Sequence, residues 1–131
     1  MQEHPNLIAA QNLWAAIAES DVLALHALLS EKAVWRMYGD SPLAGSYVGP
    51  DEIIQLLARI GDLTSDLQSD LIDIFVSDEG AVLRYRVRAA RGMQELDIEH
   101  LFMIRVDDGR IADAVFAPID QDRYDRFFTP Q

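Results

Sequence analysis

The alternation of apolar and polar side chains along residues 81–106 predicts a β-hairpin with two different faces. If the chain turns at Arg91 and Gly92, one face carries three pairs of opposite charge: Arg88 with Glu95, Arg86 with Asp97, and Arg84 with Glu99. The other face is apolar except for His100, which lies opposite Leu83. A register shift of one residue would move every side chain to the other face, so the two patterns support each other. We therefore expect His100 to point into the interior.

The residues before this hairpin show helical spacing and helix-end signals. We expect helices at residues 5–18, from Asp21 as N-cap through Leu29, and from Pro50 to about Gly61. A short strand at 33–38 and a loop at 39–49 precede the third helix. The apolar stripe of the first helix consists of Leu7, Ala10, Trp14, Ile17 and Ala18.

After residue 62 the hydrophobic period changes from that of a helix to that of a strand. Strands are expected near 67–77, 80–90, 94–106 and 110–117, and a last short helix at 122–128. Helices followed by a meander predict a single α+β domain, residues 1–131, in which a curved antiparallel sheet wraps around the N-terminal helices. Such an arrangement tends to enclose a pocket.

Composition narrows the function classes. The net charge of −11 argues against nucleic acid and anionic membrane surfaces as partners. No apolar run reaches the length of a membrane span, and residues 1–5 show no signal-peptide pattern. With no cysteine, three scattered histidines and no phosphate-binding or nucleophile motif, we expect a cytoplasmic protein with no metal and no cofactor.

Three polar residues are candidates for chemistry. His100 is either a pocket acid, base or hydrogen-bond donor, or a core histidine held by one partner. Asp113 falls on the same inner face, opposite Ile104, if residues 108–109 form a two-residue turn; it would then lie about 13 Å from His100, or reach water or Arg110 near the strand end. Arg36, in an apolar strand, either extends to the rim or pairs with a buried acid.

Aromatic residues are candidates for the pocket wall. Tyr85 is on the inner face of the hairpin, where its hydroxyl needs a partner or the ring simply fills space. Trp14, Trp35 and Phe102 are expected in the core or the wall of the pocket, where they would contact a substrate.

Two segments carry a resemblance to a known family. WRMYGDSPLAGSYVGPDEII at residues 35–54 resembles the W–x–x–x–G–x–S–P–L–x–G–x–Y–x–G–x–x–x–I segment of SnoaL-like proteins in the NTF2-like superfamily. HLFMIRVDDGRI at residues 100–111 resembles the penultimate strand and turn of that family, and Asp120 resembles the aspartate after its last strand. The resemblance implies a cone of curved sheet around a pocket, usually in a homodimer.

The resemblance implies several activities without selecting one. The functional positions of the steroid isomerases fall on Leu13, on Arg36 or Met37, and on Phe102, so a standard ketosteroid isomerase is excluded. Polyketide cyclases use an aspartate and a histidine, for which His100 and Asp113 or Asp120 supply the residue types. Epoxide hydrolases use an Asp-Arg-Asp set, to which Arg36 and Asp113 could contribute.

Two hypotheses stay open. The first is cofactor-free proton transfer on a small apolar molecule, with His100 as acid, base or donor, Arg36 holding an oxyanion, and an aspartate (Asp40, Asp113 or Asp120) abstracting the proton. The second is a non-catalytic ligand-binding or dimeric accessory module, whose pocket would hold no converging polar groups. In either case Leu101 and Met103 on the outer sheet face suggest a homodimer interface.

Overall fold

The computed structural model describes residues 4–130. The expectation that no signal peptide is present rests partly on residues 1–3, which lie outside the described residues. The elements in chain order are α1 (Pro5–Ala18), α2 (Val22–Leu28), β1 (Leu29–Met37), β2 (Gly45–Val48), α3 (Gly49–Leu63), β3 (Ser65–Val76), β4 (Gly80–Arg91), β5 (Gln94–Asp107), β6 (Arg110–Pro118) and α4 (Gln121–Phe128).

The six strands form one curved, unclosed sheet in the order β2-β1-β6-β5-β4-β3. The helices α1 and α3 pack against its concave face, which confirms the predicted α+β class. Neighbouring strands are antiparallel except for β1 and β6, which run parallel, so the sheet is mixed. No helix among residues 4–130 is long and apolar enough to cross a membrane.

The helix-start signals are confirmed, but α3 continues two residues beyond its predicted end at Gly61, to Leu63. Asp21 caps α2 by accepting a hydrogen bond from the Ala24 amide (3.1 Å), and Pro50 lies in the first turn of α3. The predicted stripe of α1 is wrong in part, because Leu7 is only partly buried and Ala18 is exposed, whereas Leu13 is 1% exposed. Leu29 was expected in the second helix, but it begins β1, since its backbone pairs with Ile111 of β6.

The hairpin of β4 and β5 differs from the predicted register by two residues. Its turn is centred on Gly92 and Met93, so His100 pairs with Tyr85 rather than with Leu83. An even shift keeps every side chain on its predicted face, because side chains on a strand alternate. His100 therefore does point inward, where it is 1% exposed.

The charge pairs on the outer face follow this register. Diagonal ion pairs join Arg84 to Glu99 and Arg86 to Asp97, each at 2.6 Å. The guanidinium of Arg86 also lowers the pKa of the Asp97 carboxyl. The predicted pair of Arg88 with Glu95 is wrong, because Arg88 bonds instead to Asp70 of β3 at 2.9 Å.

A β-bulge changes the register between β5 and β6. The two-residue turn at residues 108–109 is present, with Asp107 paired to Arg110. The register then shifts by one residue between Arg105 and Val106, so that Asp113 lies opposite Arg105 instead of Ile104. An odd shift exchanges the two faces of a strand, and Asp113 therefore moves to the outer face.

Candidate functional site

A cavity of about 620 Å³ lies between the helices and the concave face of the sheet. This volume is in the range of small-molecule sites in proteins. Its wall is mainly apolar and is drawn from both layers, including Leu13, Ile17, Met37, Leu56, Leu83 and Phe116. Exposed lining residues near the end of α1, the end of α3 and the start of β3, such as Ala18, Asp62 and Leu67, form its rim.

The four aromatic residues predicted for the pocket come together in this wall. Trp14 packs against Tyr85 with ring centroids 5.1 Å apart, and Trp35 meets Phe102 edge to face at 4.9 Å. In the strand register Phe102 lies between Leu83 of β4 and Phe116 of β6, both of which also line the cavity. A role of the four residues in binding stays a prediction.

His100 lies one layer behind this wall. Its ring is enclosed by Phe116, Tyr85 and Tyr124, with centroids 4.5, 5.3 and 5.5 Å away, and it is not among the residues that line the cavity. Neither ring nitrogen has a hydrogen-bond partner among residues 4–130. Burial lowers the pKa of His100 to about 3, so the imidazole is neutral at neutral pH.

Asp113 is not placed where the sequence predicted it. Arg36, for which the rim and a pairing with a buried acid were both open, lies beside Asp113, whose side chain is partly buried. Asp113 accepts a hydrogen bond from Arg105 at 2.6 Å, and its other oxygen lies 3.6 Å from the Arg36 guanidinium. In the strand register Arg36 lies opposite Val115, so its side chain is on the outer face of the sheet. Arg36 is nevertheless one of the residues that contribute to the cavity wall. The predicted inward position of Asp113 is wrong because of the bulge in its strand. Catalytic roles for Asp113 and Arg36 stay predictions that this placement does not support.

Neither of the other two candidate aspartates, Asp120 and Asp40, is bonded to His100. Asp120 is exposed and caps α4 by accepting a hydrogen bond from the Arg123 amide at 3.1 Å. Asp40 is exposed as well, and its amide donates to the buried carboxylate of Asp125 at 2.9 Å. A substrate-binding role for Asp120 therefore stays a prediction without support from its position.

The sequence reasoning missed Tyr124. This residue of α4 is 3% exposed and lines the cavity, with its ring stacked near Phe116 and Phe128. Burial raises the pKa values of Tyr124 and Tyr85, and the phenol of Tyr124 raises the pKa of Tyr85 further. The spacing of Tyr124, Phe127 and Phe128 on a short helix could have indicated that this face is buried.

No group of three or more histidine, cysteine or acidic residues within residues 4–130 is arranged to hold a metal ion. The cavity wall instead combines apolar side chains with two deep phenols. Fold and cavity together define a small α+β protein with an aromatic pocket.

Comparison with known proteins identifies the family. The sequence model of the SnoaL-like domain matches residues 10–114. Because this match spans most of the chain, the protein belongs to the SnoaL-like family, as the sequence segments indicated. No curated protein matches the chain.

Solved structures are similar over nearly the whole chain. Bal32a, from a soil-derived mobile gene cassette, is 27% identical with a TM-score of 0.89, over 95% of this chain and 96% of that one. An NTF2-like protein of unknown function from Burkholderia pseudomallei is 17% identical with a TM-score of 0.85, over 98% and 100%. TerC, co-crystallised with polyporic acid, is 13% identical with a TM-score of 0.82, over 95% and 98%. The last two show the NTF2-like fold alone.

Proposed function

We propose that this protein binds a small, largely apolar molecule in the cavity between its helices and its sheet. The observation that carries the proposal is the cavity itself, about 620 Å³ in volume and walled by aromatic rings from four strands and two helices. Apolar cavities of this size bury most of the surface of a small ligand, which supplies the free energy of binding.

Binding without chemistry fits the geometry better than proton transfer. Proton transfer needs an ionisable group within hydrogen-bond reach of the substrate. Asp113 and Arg36 form an ion-pair cluster on the outer face, and His100 lies behind the aromatic wall. Cofactor-free chemistry of the isomerase, cyclase or dehydratase type stays the alternative, and it requires His100 to exchange a proton with the ligand by way of Tyr85 or Tyr124.

The proposal is tested with Nile red, a neutral dye whose emission moves to shorter wavelength in apolar surroundings. We expect saturable binding of one dye per chain and a change in protein emission, since both tryptophans of the chain line the cavity. Ala18→Trp at the rim should weaken binding by obstructing entry, whereas Ala15→Trp, exposed on the same helix outside the cavity, should not. Equal affinities in these two variants, or unsaturable binding, would contradict a site in the cavity.

We also propose that the outer face of the sheet pairs two copies of this chain. An apolar row of Phe75, Val82, Met103 and Val115 crosses β3 to β6 in register, and Phe75 and Met103 are 52% and 41% exposed. The ion pairs Arg84–Glu99 and Arg105–Asp113 flank the row, so both positive and negative side chains border it. A second copy turned by 180° can therefore place its charges opposite charges of the other sign. A homodimer would remove this apolar surface from water.

A further inference from the structure

We propose that the cavity selects a neutral ligand whose carbonyl-type oxygen accepts hydrogen bonds from the phenol groups of Tyr85 and Tyr124. This inference rests on the proposed binding of a small apolar molecule and adds the polar group that the molecule must carry. It is independent of whether the ligand is later transformed.

The two phenols converge on one region of the cavity wall from different elements. Tyr85 comes from β4 and Tyr124 from α4, and both rings pack against His100 and Phe116 at centroid distances between 5.3 and 6.4 Å. Both residues line the cavity, and they are 7% and 3% exposed. The two tyrosines therefore flank the same part of the cavity wall, and we place the oxygen of the ligand there.

Neither hydroxyl is used by the fold. Within residues 4–130 neither Tyr85 nor Tyr124 makes a side-chain hydrogen bond, whereas the phenol of Tyr47 donates to the Leu43 carbonyl at 2.6 Å. The imidazole of His100, although enclosed by both rings, also bonds to neither hydroxyl. Neither phenol oxygen is among the fully enclosed polar atoms without a partner, so both are open to the cavity that the two residues line. A tyrosine hydroxyl in a protein interior usually has a hydrogen-bond partner. A bound ligand can supply that partner.

Each protonated phenol can donate a hydrogen bond, so a ligand oxygen that accepts hydrogen bonds is complementary to this part of the wall. Burial keeps the two phenols protonated at neutral pH, because it raises their pKa values. A ketone, ester or quinone oxygen would satisfy donors of this kind.

The charges around the cavity favour a neutral ligand. Arg36 contributes to the wall, but its guanidinium is directed to Asp113 on the outer face. Asp62 at the rim is acidic, and the chain carries a net charge of −11. An anion would leave water for an apolar site without a cation to pair with, which is unfavourable.

The test compares benzophenone with diphenylethene, its analogue in which a CH2 group replaces the ketone oxygen. The two molecules have nearly the same shape, so calorimetric affinities isolate the contribution of the oxygen. We expect the folded protein to bind the ketone about tenfold more tightly, as one or two net hydrogen bonds would give. Tyr85→Phe and Tyr124→Phe should each reduce this ratio while leaving the affinity for diphenylethene unchanged. Tyr38→Phe, at a 60% exposed position outside the cavity, is the matched control and should keep the ratio.

The outcomes separate the inference from the function on which it rests. Equal affinity for the two ligands, or an unchanged ratio in both phenylalanine variants, would overturn the phenol site and leave binding in the cavity intact. Failure of both ligands to bind would overturn the proposed function as well. Partial unfolding of a variant lowers its apparent affinity for both ligands by the same factor, so the ratio of the two affinities is unaffected. Benzoylbenzoate should bind more weakly than benzophenone, and tighter binding would overturn the preference for a neutral ligand.

Discussion

The buried imidazole of His100 should make the stability of the protein depend on pH. In the folded chain the ring is 1% exposed and has no hydrogen-bond partner among the described residues, and its pKa is lowered by burial to about 3. In the unfolded chain the pKa of histidine is about 6.5. Between these two values the unfolded state binds a proton that the folded state does not, so the free energy of unfolding falls as the pH falls.

The size of the effect follows from the two pKa values. Each pH unit within this window costs about 1.4 kcal/mol of stability. Between about pH 7 and about pH 5 the loss attributable to His100 is about 2 kcal/mol, because the unfolded imidazole is only partly protonated at the upper limit. Above the unfolded pKa this contribution to stability is fully present. It is lost progressively until the pH reaches the folded pKa near 3.

His100→Leu removes the titrating group and keeps a side chain of similar volume. Urea unfolding followed by tryptophan emission at several pH values should give a shallower acid slope for the variant than for the wild type. Carboxylates that both proteins share contribute equally to the two slopes, so the difference between the slopes reports on His100 alone. At neutral pH the variant should be more stable by about 1 kcal/mol, since two buried nitrogens without partners are removed. Equal slopes, or an imidazole that titrates near its usual pKa by NMR in the folded protein, would refute this reasoning.

Three further predictions concern other parts of the structure. Met103→Glu should convert a dimer to monomers in sedimentation equilibrium, while Met93→Glu at the fully exposed hairpin tip should not; a wild type that is already monomeric would contradict the interface. Asp113→Ala should leave the Nile red affinity unchanged because its carboxylate is on the outer face, and a large loss of affinity would contradict that placement. Asp125→Ala should lower the free energy of unfolding by about 1–3 kcal/mol, because this buried carboxylate accepts hydrogen bonds from the Asp40 amide and from Gln121; unchanged urea midpoints would contradict it.

The sequence predicted the elements of the fold well because their signals are local. Caps, prolines and hydrophobic periods act within a few residues, and they placed four helices and four long strands close to their observed positions. The parallel pairing of β1 with β6 could not be read in this way, because it joins residues such as Trp35 and Ala114 that are far apart in the chain. The short strand β2 was likewise taken for part of a loop.

The outcome for the candidate site depended on whether each register error was even or odd. The predicted register of the β4–β5 hairpin was wrong by two residues, an even number, so His100 faces the interior as predicted. The bulge in β6 displaced Asp113 by one residue and moved it to the opposite face. Tyr124 was missed for a different reason, since its place in the cavity depends on how α4 docks against β5 and β6. Periodicity alone does not specify such docking.

The most direct test of a ligand site inside the protein is photolabelling by bound benzophenone. On irradiation the ketone bonds covalently to C–H groups beside it, and peptide mapping locates the adducts. We expect saturable labelling of cavity-wall peptides, including the one that contains Met37, and loss of labelling in Ala18→Trp. Labelling confined to peptides of the exposed Met93 or Met103, with the Met37 peptide unmodified, would contradict it.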